Sequence, residues 1–143
     1  MTPFKSLVLD ANILIRAVLG KKVNSLILQY NNQVAFYTPD LCFQDAEKYL
    51  PIILEKRPNV DTDLAMNVLT QISQIVSPLD KDIYSEFEVE AKKRIASKDK
   101  DDWSVVAAAL FLNCPIWTED KDFFGTGIAT WETYTVEIYL LEE

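Results

Sequence analysis

Short apolar runs alternate along this chain with longer stretches of helical periodicity, and that alternation leaves few folds open. Phe4 to Leu9 reads as a buried strand ending at Asp10, and Ala11 to Leu19 follows as a helix that Gly20 is placed to stop. A helix over Val23 to Tyr30 and a strand over Val34 to Tyr37 come next. The helical pattern from Leu41 to Arg57 begins after Pro39 and is expected to kink or divide at Pro51. Asp61 to Gln74 is amphipathic, and Ile75 to Leu79 reads as the third strand. Asp80 to Ala96 carries Ile83, Phe87, Ala91 and Ile95 as one apolar stripe. Asp102 to Leu112 is apolar nearly all round, which predicts a central, covered helix. Cys114 to Thr118 and Ala129 to Thr133 read as the fourth and fifth strands, and Val136 to Leu141 as a closing helix. Strands separated in this way by helices imply a mainly parallel sheet of four or five strands, covered on both faces. With 143 residues and no repeat or linker, residues 1–143 are expected to form one α/β domain.

The composition then limits the chemistry. There is no histidine, which removes the usual proton shuttle and the usual zinc ligand. The two cysteines, Cys42 and Cys114, sit among apolar neighbours and read as buried reduced thiols, pointing to the cytoplasm. The longest apolar run, Val105 to Leu112, is far short of the ~20 residues a membrane span needs. No basic-then-apolar leader opens the chain, so neither a membrane nor export is expected. Hydrolysis would have to rest on carboxylates, a lysine or hydroxyl, or a metal bound by oxygen. The net charge of −8 argues against broad electrostatic attraction to nucleic acid.

Four carboxylates fall where such a fold builds sites, beyond the carboxyl ends of the strands. Asp10 closes the first strand and Asp120 closely follows the fourth; each would also serve as a helix cap or turn residue. Glu47 is placed by a helical wheel between Phe43, Leu50 and Leu54, on the apolar face, with Asp45 and Lys48 pointing the other way. A lone inward carboxylate costs several kcal/mol unless a cation or metal joins it. Asp102 opens the apolar helix and shares a face with Val105, Val106 and Ala109, either as an N-cap or as a site acid. Clustered carboxylates repel unless a cation joins them, and an all-oxygen cluster suits Mg²⁺ or Mn²⁺.

At these residues the chain resembles the PIN domains, the nuclease family that includes VapC-type toxins. Leu9-Asp10-Ala11-Asn12 is similar to the family's opening motif, and Glu47 within Asp45-Ala46-Glu47-Lys48-Tyr49-Leu50 resembles its mid-chain glutamate. Asp99-Lys100-Asp101-Asp102-Trp103, running into Val105 to Leu110, resembles the third acid and its alanine-rich helix. Of Asp99, Asp101 and Asp102, the distance to the alanine run favours Asp102. Thr118-Glu119-Asp120-Lys121-Asp122-Phe123 resembles the Thr-x-Asp-x-x-Phe ending of strand four.

The resemblance implies a three-layer α/β/α fold, metal-dependent RNA cleavage, a homodimer and, in the toxin branch, an antitoxin partner. Asp10, Asp102 and Asp120 would hold one or two Mg²⁺ or Mn²⁺ ions, with Glu47 as ligand or orienter of water. Asn12, Thr118, Asp99 and Asp122 would fix the carboxylates or a water from behind. Lys92, Lys93, Arg94, Lys98 and Lys100 crowd just before Asp102 and would steer RNA to the metal, or else are cations on a solvated helix end. A haloacid-dehalogenase-type phosphatase would need an aspartate where Asn12 stands, and a response-regulator receiver would need paired acids after strand one. The remaining alternative is a catalytically silent PIN module that binds or scaffolds.

Overall fold

The computed structural model describes residues 5–95 and 101–142, so Asp99, Lys98 and Lys100 lie outside the described residues. Its centre is a five-stranded sheet of β1 (Lys5–Leu9), β2 (Val34–Pro39), β3 (Val76–Leu79), β4 (Ile116–Trp117) and β5 (Thr130–Trp131). The order is β3-β2-β1-β4-β5 and every neighbouring pair is parallel. The chain therefore walks outward from β1 to β3, then returns to lay β4 against the free side of β1. That reversal makes the gap beyond the ends of β1 and β4 the switch point of the sheet.

Alternation along β1 sends Leu7 and Leu9 to one face and Val8 to the other. The first face is covered by α1 (Ala11–Leu19), α2 (Lys21–Tyr30), α4 (Thr62–Ile72) and α8 (Val136–Leu141), and the second by α5 (Lys81–Tyr84), α6 (Glu88–Arg94) and α7 (Asp102–Leu112). The long α3 (Asp40–Leu54) reaches both layers: Ala46, Leu50 and Leu54 join the first core and Cys42 the second. The result is the three-layer α/β/α arrangement that the strand–helix alternation requires. The α7 helix is buried on all sides from Trp103 to Ala109, and its three alanines let it lie close against β1 and β2. It stops at Asn113, whose left-handed conformation (φ 52°) turns the chain toward β4. No helix of the described residues is long and apolar enough to cross a membrane.

Two local expectations give way. Pro51 does not divide α3, which runs unbroken from Asp40 to Leu54. The N–H that proline lacks would have bonded the carbonyl of Glu47, on the exposed flank of the helix, where water can serve instead. The segment from Asp80 is not one helix either: a 3₁₀ turn at Ser85–Phe87 separates α5 from α6. Tyr84, not Ile83, goes inside, while Ile83 is 41% exposed. The Tyr84 ring packs on Trp103 with centroids 5.7 Å apart, and its hydroxyl donates to Asp40 at 2.5 Å. The tight turn then resets the helical phase so that Ala91 and Ile95 are buried.

Candidate metal centre

Asp10 leaves β1 in extended conformation and caps α1, its Oδ1 accepting the Ile13 N–H at 3.0 Å. Its other oxygen accepts a hydrogen bond from the Thr118 hydroxyl at 2.5 Å. This contact follows from register, since Leu9 pairs with Trp117 and the next residues on each strand are Asp10 and Thr118. The Thr118 oxygen in turn accepts the Asp120 N–H at 2.9 Å. One buried hydroxyl thus ties the acid after β1 to the acid after β4. Asp120 caps the 3₁₀ turn Lys121–Phe123 by accepting the Asp122 N–H at 2.9 Å.

The opposite wall comes from α7, where Asp101 is the N-cap and Asp102 stands in the first turn. Carboxylate oxygens of Asp102, Asp120 and Asp122 lie within 4.8 Å of one another. A cavity of about 240 Å³ is lined on its acidic side by Asp10, Asp45, Asp101, Asp102 and Asp120 and on its apolar side by Ile15, Tyr49 and Ile52.

Glu47 is not among the lining residues, and its expected inward position is corrected: it is exposed. The buried stripe of α3 is Cys42, Ala46, Leu50 and Leu54, with Asp45 and Glu47 on its two flanks. The Asp45 flank faces the cavity and the Glu47 flank faces solvent. Asp45, expected from the helical wheel to point away, instead borders the cavity, because Cys42, Asp45, Tyr49 and Ile52 recur at helical spacing and share its wall.

Burial pushes the Asp10 carboxyl up to about 6, against the Thr118 and Ile13 hydrogen bonds, and the charges of Asp120 and Glu119 add to the rise. The Cys42 thiol, 3.9 Å from the Ser104 hydroxyl, is also raised, by burial first and then by the charge of Asp10. Five carboxylates against this one thiol make the lining predominantly an oxygen-donor set.

The family model of the PIN domain matches residues 8–141. The chain belongs to the PIN-domain family. Among solved structures it resembles PAE2754 from Pyrobaculum aerophilum at 19% identity and a TM-score of 0.68, with 96% of this chain and 89% of that one covered. It also resembles VapBC2 from Rickettsia felis, solved bound to a DNA fragment from its promoter, at 12% identity and a TM-score of 0.63, covering 89% of this chain and 98% of that one. No curated protein matches it in sequence. In this PIN domain Asp10, Asp102 and Asp120 meet at one cavity, Asn12 is exposed on its rim, and Asp122 is exposed beside Asp102 and Asp120.

The basic cluster before α7 is less available than its sequence suggests. Lys92 pairs with Glu88 at 2.7 Å and lies over the Trp103 ring. Arg94 bonds Glu90 at 3.2 Å and the Thr126 carbonyl at 3.0 Å, so it fastens a loop, while Lys93 is exposed.

Thr118 offers a direct check on this geometry. Thr118→Val would leave the Asp120 N–H and an Asp10 oxygen without their shared partner, and is expected to destabilise the protein by about 1–3 kcal/mol in denaturant titrations. Thr118→Ser should restore most of the loss. Equal stability of the valine variant and the wild type would mean that the bridge contributes nothing.

Proposed function

We propose that this PIN domain is an endoribonuclease that hydrolyses phosphodiester bonds with Mg²⁺ or Mn²⁺. The observation that carries this reading is the convergence of Asp10, Asp45, Asp102 and Asp120, from four separate segments, on one cavity. Carboxylates gathered so closely repel one another without a cation, and a donor set made up mainly of carboxylates suits Mg²⁺ or Mn²⁺. Asp10, Asp102 and Asp120 would hold the ion, with Asp45 across from them and Asp122 beside Asp120. Bound there, a divalent cation supplies Lewis acidity, which lowers the pKa of water and offsets charge on the phosphodiester. The protein's own part is positioning: Thr118 fixes one Asp10 oxygen and the Ile13 N–H the other, so the carboxylate cannot swing away. Ile15, Tyr49 and Ile52 give a nucleobase an apolar wall opposite the acids.

Membership of the family that includes VapC-type toxins extends the reading to a toxin with a separate antitoxin, working as a homodimer. The two free cysteines suit the cytoplasm as its compartment.

Product chemistry tests the reading. With Mn²⁺ the purified protein is expected to cut single-stranded RNA and leave a 5′-phosphate and a 3′-hydroxyl, and EDTA is expected to stop it. Activity that persists in EDTA, or products ending in a 2′,3′-cyclic phosphate, would refute it. Failure to cut any RNA would favour a PIN module that only binds.

A further inference from the structure

A second cavity, of about 520 Å³, opens beside the acidic one, and its chemistry is opposite. Arg16 of α1, Lys21 and Lys22 at the start of α2, and Arg57 beyond the end of α3 line it. The chain has only 14 lysines and arginines against 22 acids, so four cations around one groove stand out against a net charge of −8. All four are exposed, and among the described residues none of them forms an ion pair, unlike Lys92 and Arg94. Lys21 and Lys22 also stand at the positive end of the α2 dipole, where cations cost the helix stability instead of adding to it. Their position therefore builds positive potential and does nothing for the local fold. The groove meets the acidic cavity along a low ridge of Asn12, Ile15 and Ile53, residues that border both.

We propose that this groove is the track for the backbone of single-stranded RNA on one side of the cut. The inference rests on the nuclease reading above and extends it to substrate binding. A phosphodiester held at the acids would have its neighbouring phosphates carried over the ridge and onto Arg16, Lys21, Lys22 and Arg57. It also answers the objection raised by the acidic composition: attraction need not be global when four unpaired cations stand next to the reaction centre. Contacts of this kind read the backbone and not the bases, so the groove supplies affinity and direction without sequence choice.

The test combines a variant with all four cations replaced (Arg16→Gln, Lys21→Gln, Lys22→Gln, Arg57→Gln) with two probes. The first is a labelled single-stranded oligouridylate, titrated in EDTA so that binding is read without cleavage. The second is a nucleoside p-nitrophenyl phosphodiester, too short to reach the groove, hydrolysed in Mn²⁺. The variant is expected to bind the RNA roughly tenfold or more weakly near 0.1 M salt, with the salt dependence shallower by about 0.7 in slope for each cation removed. It should hydrolyse the short diester like the wild type. Equal RNA affinity and equal salt slope in both proteins would overturn the track. A wild type that hydrolyses neither substrate would end the nuclease reading, while the binding titration still decides the groove. Loss of affinity for a glutamate-rich peptide, with RNA binding unchanged, would overturn the proposal and give the groove to an acidic protein segment.

Discussion

Asp45→Asn is expected to lower metal-dependent RNA cleavage by roughly a hundredfold to a thousandfold, whereas Glu47→Gln is expected to leave it within about twofold of wild type. The two residues are two positions apart on α3 and carry the same charge, so the contrast isolates direction from composition. Asp45 borders the cavity with Asp10, Asp102 and Asp120, and its charge and that of Asp10 are both felt by the Cys42 thiol. Glu47 lies on the exposed flank. Asparagine keeps the size of Asp45 and removes one negative charge, so a folded variant with low activity reports on the site and not on packing. Melting curves in EDTA establish that both variants fold. Equal activity of Asp45→Asn and wild type would remove Asp45 from the site, and strong loss in Glu47→Gln alone would restore the glutamate.

The second large effect is on stability. In the unfolded chain Asp10 ionises near 3.8, and in the folded protein only near 6. Between these values the native state holds a proton that the unfolded state has lost, so the stability contributed by Asp10 falls as pH rises. Below the lower value both states are protonated and nothing is lost; above the higher value the full penalty of about 3 kcal/mol applies. In metal-free protein, the stability of Asp10→Asn minus that of wild type should therefore rise by about 2.4 kcal/mol between pH 4 and pH 7. The difference cancels the titration of most other groups, and urea melts at several pH values in EDTA measure it. A difference that stays flat over that range would mean that Asp10 is not penalised by burial. Mn²⁺ should offset the penalty in the wild type at neutral pH and do so far less in the variant.

The fold was largely legible because period alone distinguishes a strand from a helix, and the strand–helix alternation leaves little but a covered parallel sheet. Asp10, Asp102 and Asp120 could be found because strand ends and helix starts are local features. Asp45 could not be separated from Glu47 in the same way. Both stand about 100° or less from the buried stripe on α3, one on each side, and only the placement of β1 and α7 decides which flank meets the cavity. Tyr84 was hidden for a related reason: a 3₁₀ turn shifts the helical phase, and its cause is tertiary, the contact with Trp103 and Asp40. The basic groove is assembled from residues 16, 21, 22 and 57, too far apart to register as a charge run, whereas the conspicuous run before α7 is partly spent on Glu88, Glu90 and the Thr126 carbonyl.

The strand order carries one more consequence, which concerns time. β1 is synthesised well before its neighbour β4, which is not made until residues 116 and 117. Until then Asp10 has no Thr118 to hold it and no Asp120 opposite, and the wall supplied by Asp102 is barely complete. No fragment that ends before residue 120 contains the acid set, however well its own helices form. With this strand order the acid set cannot assemble during synthesis until residue 120 has emerged.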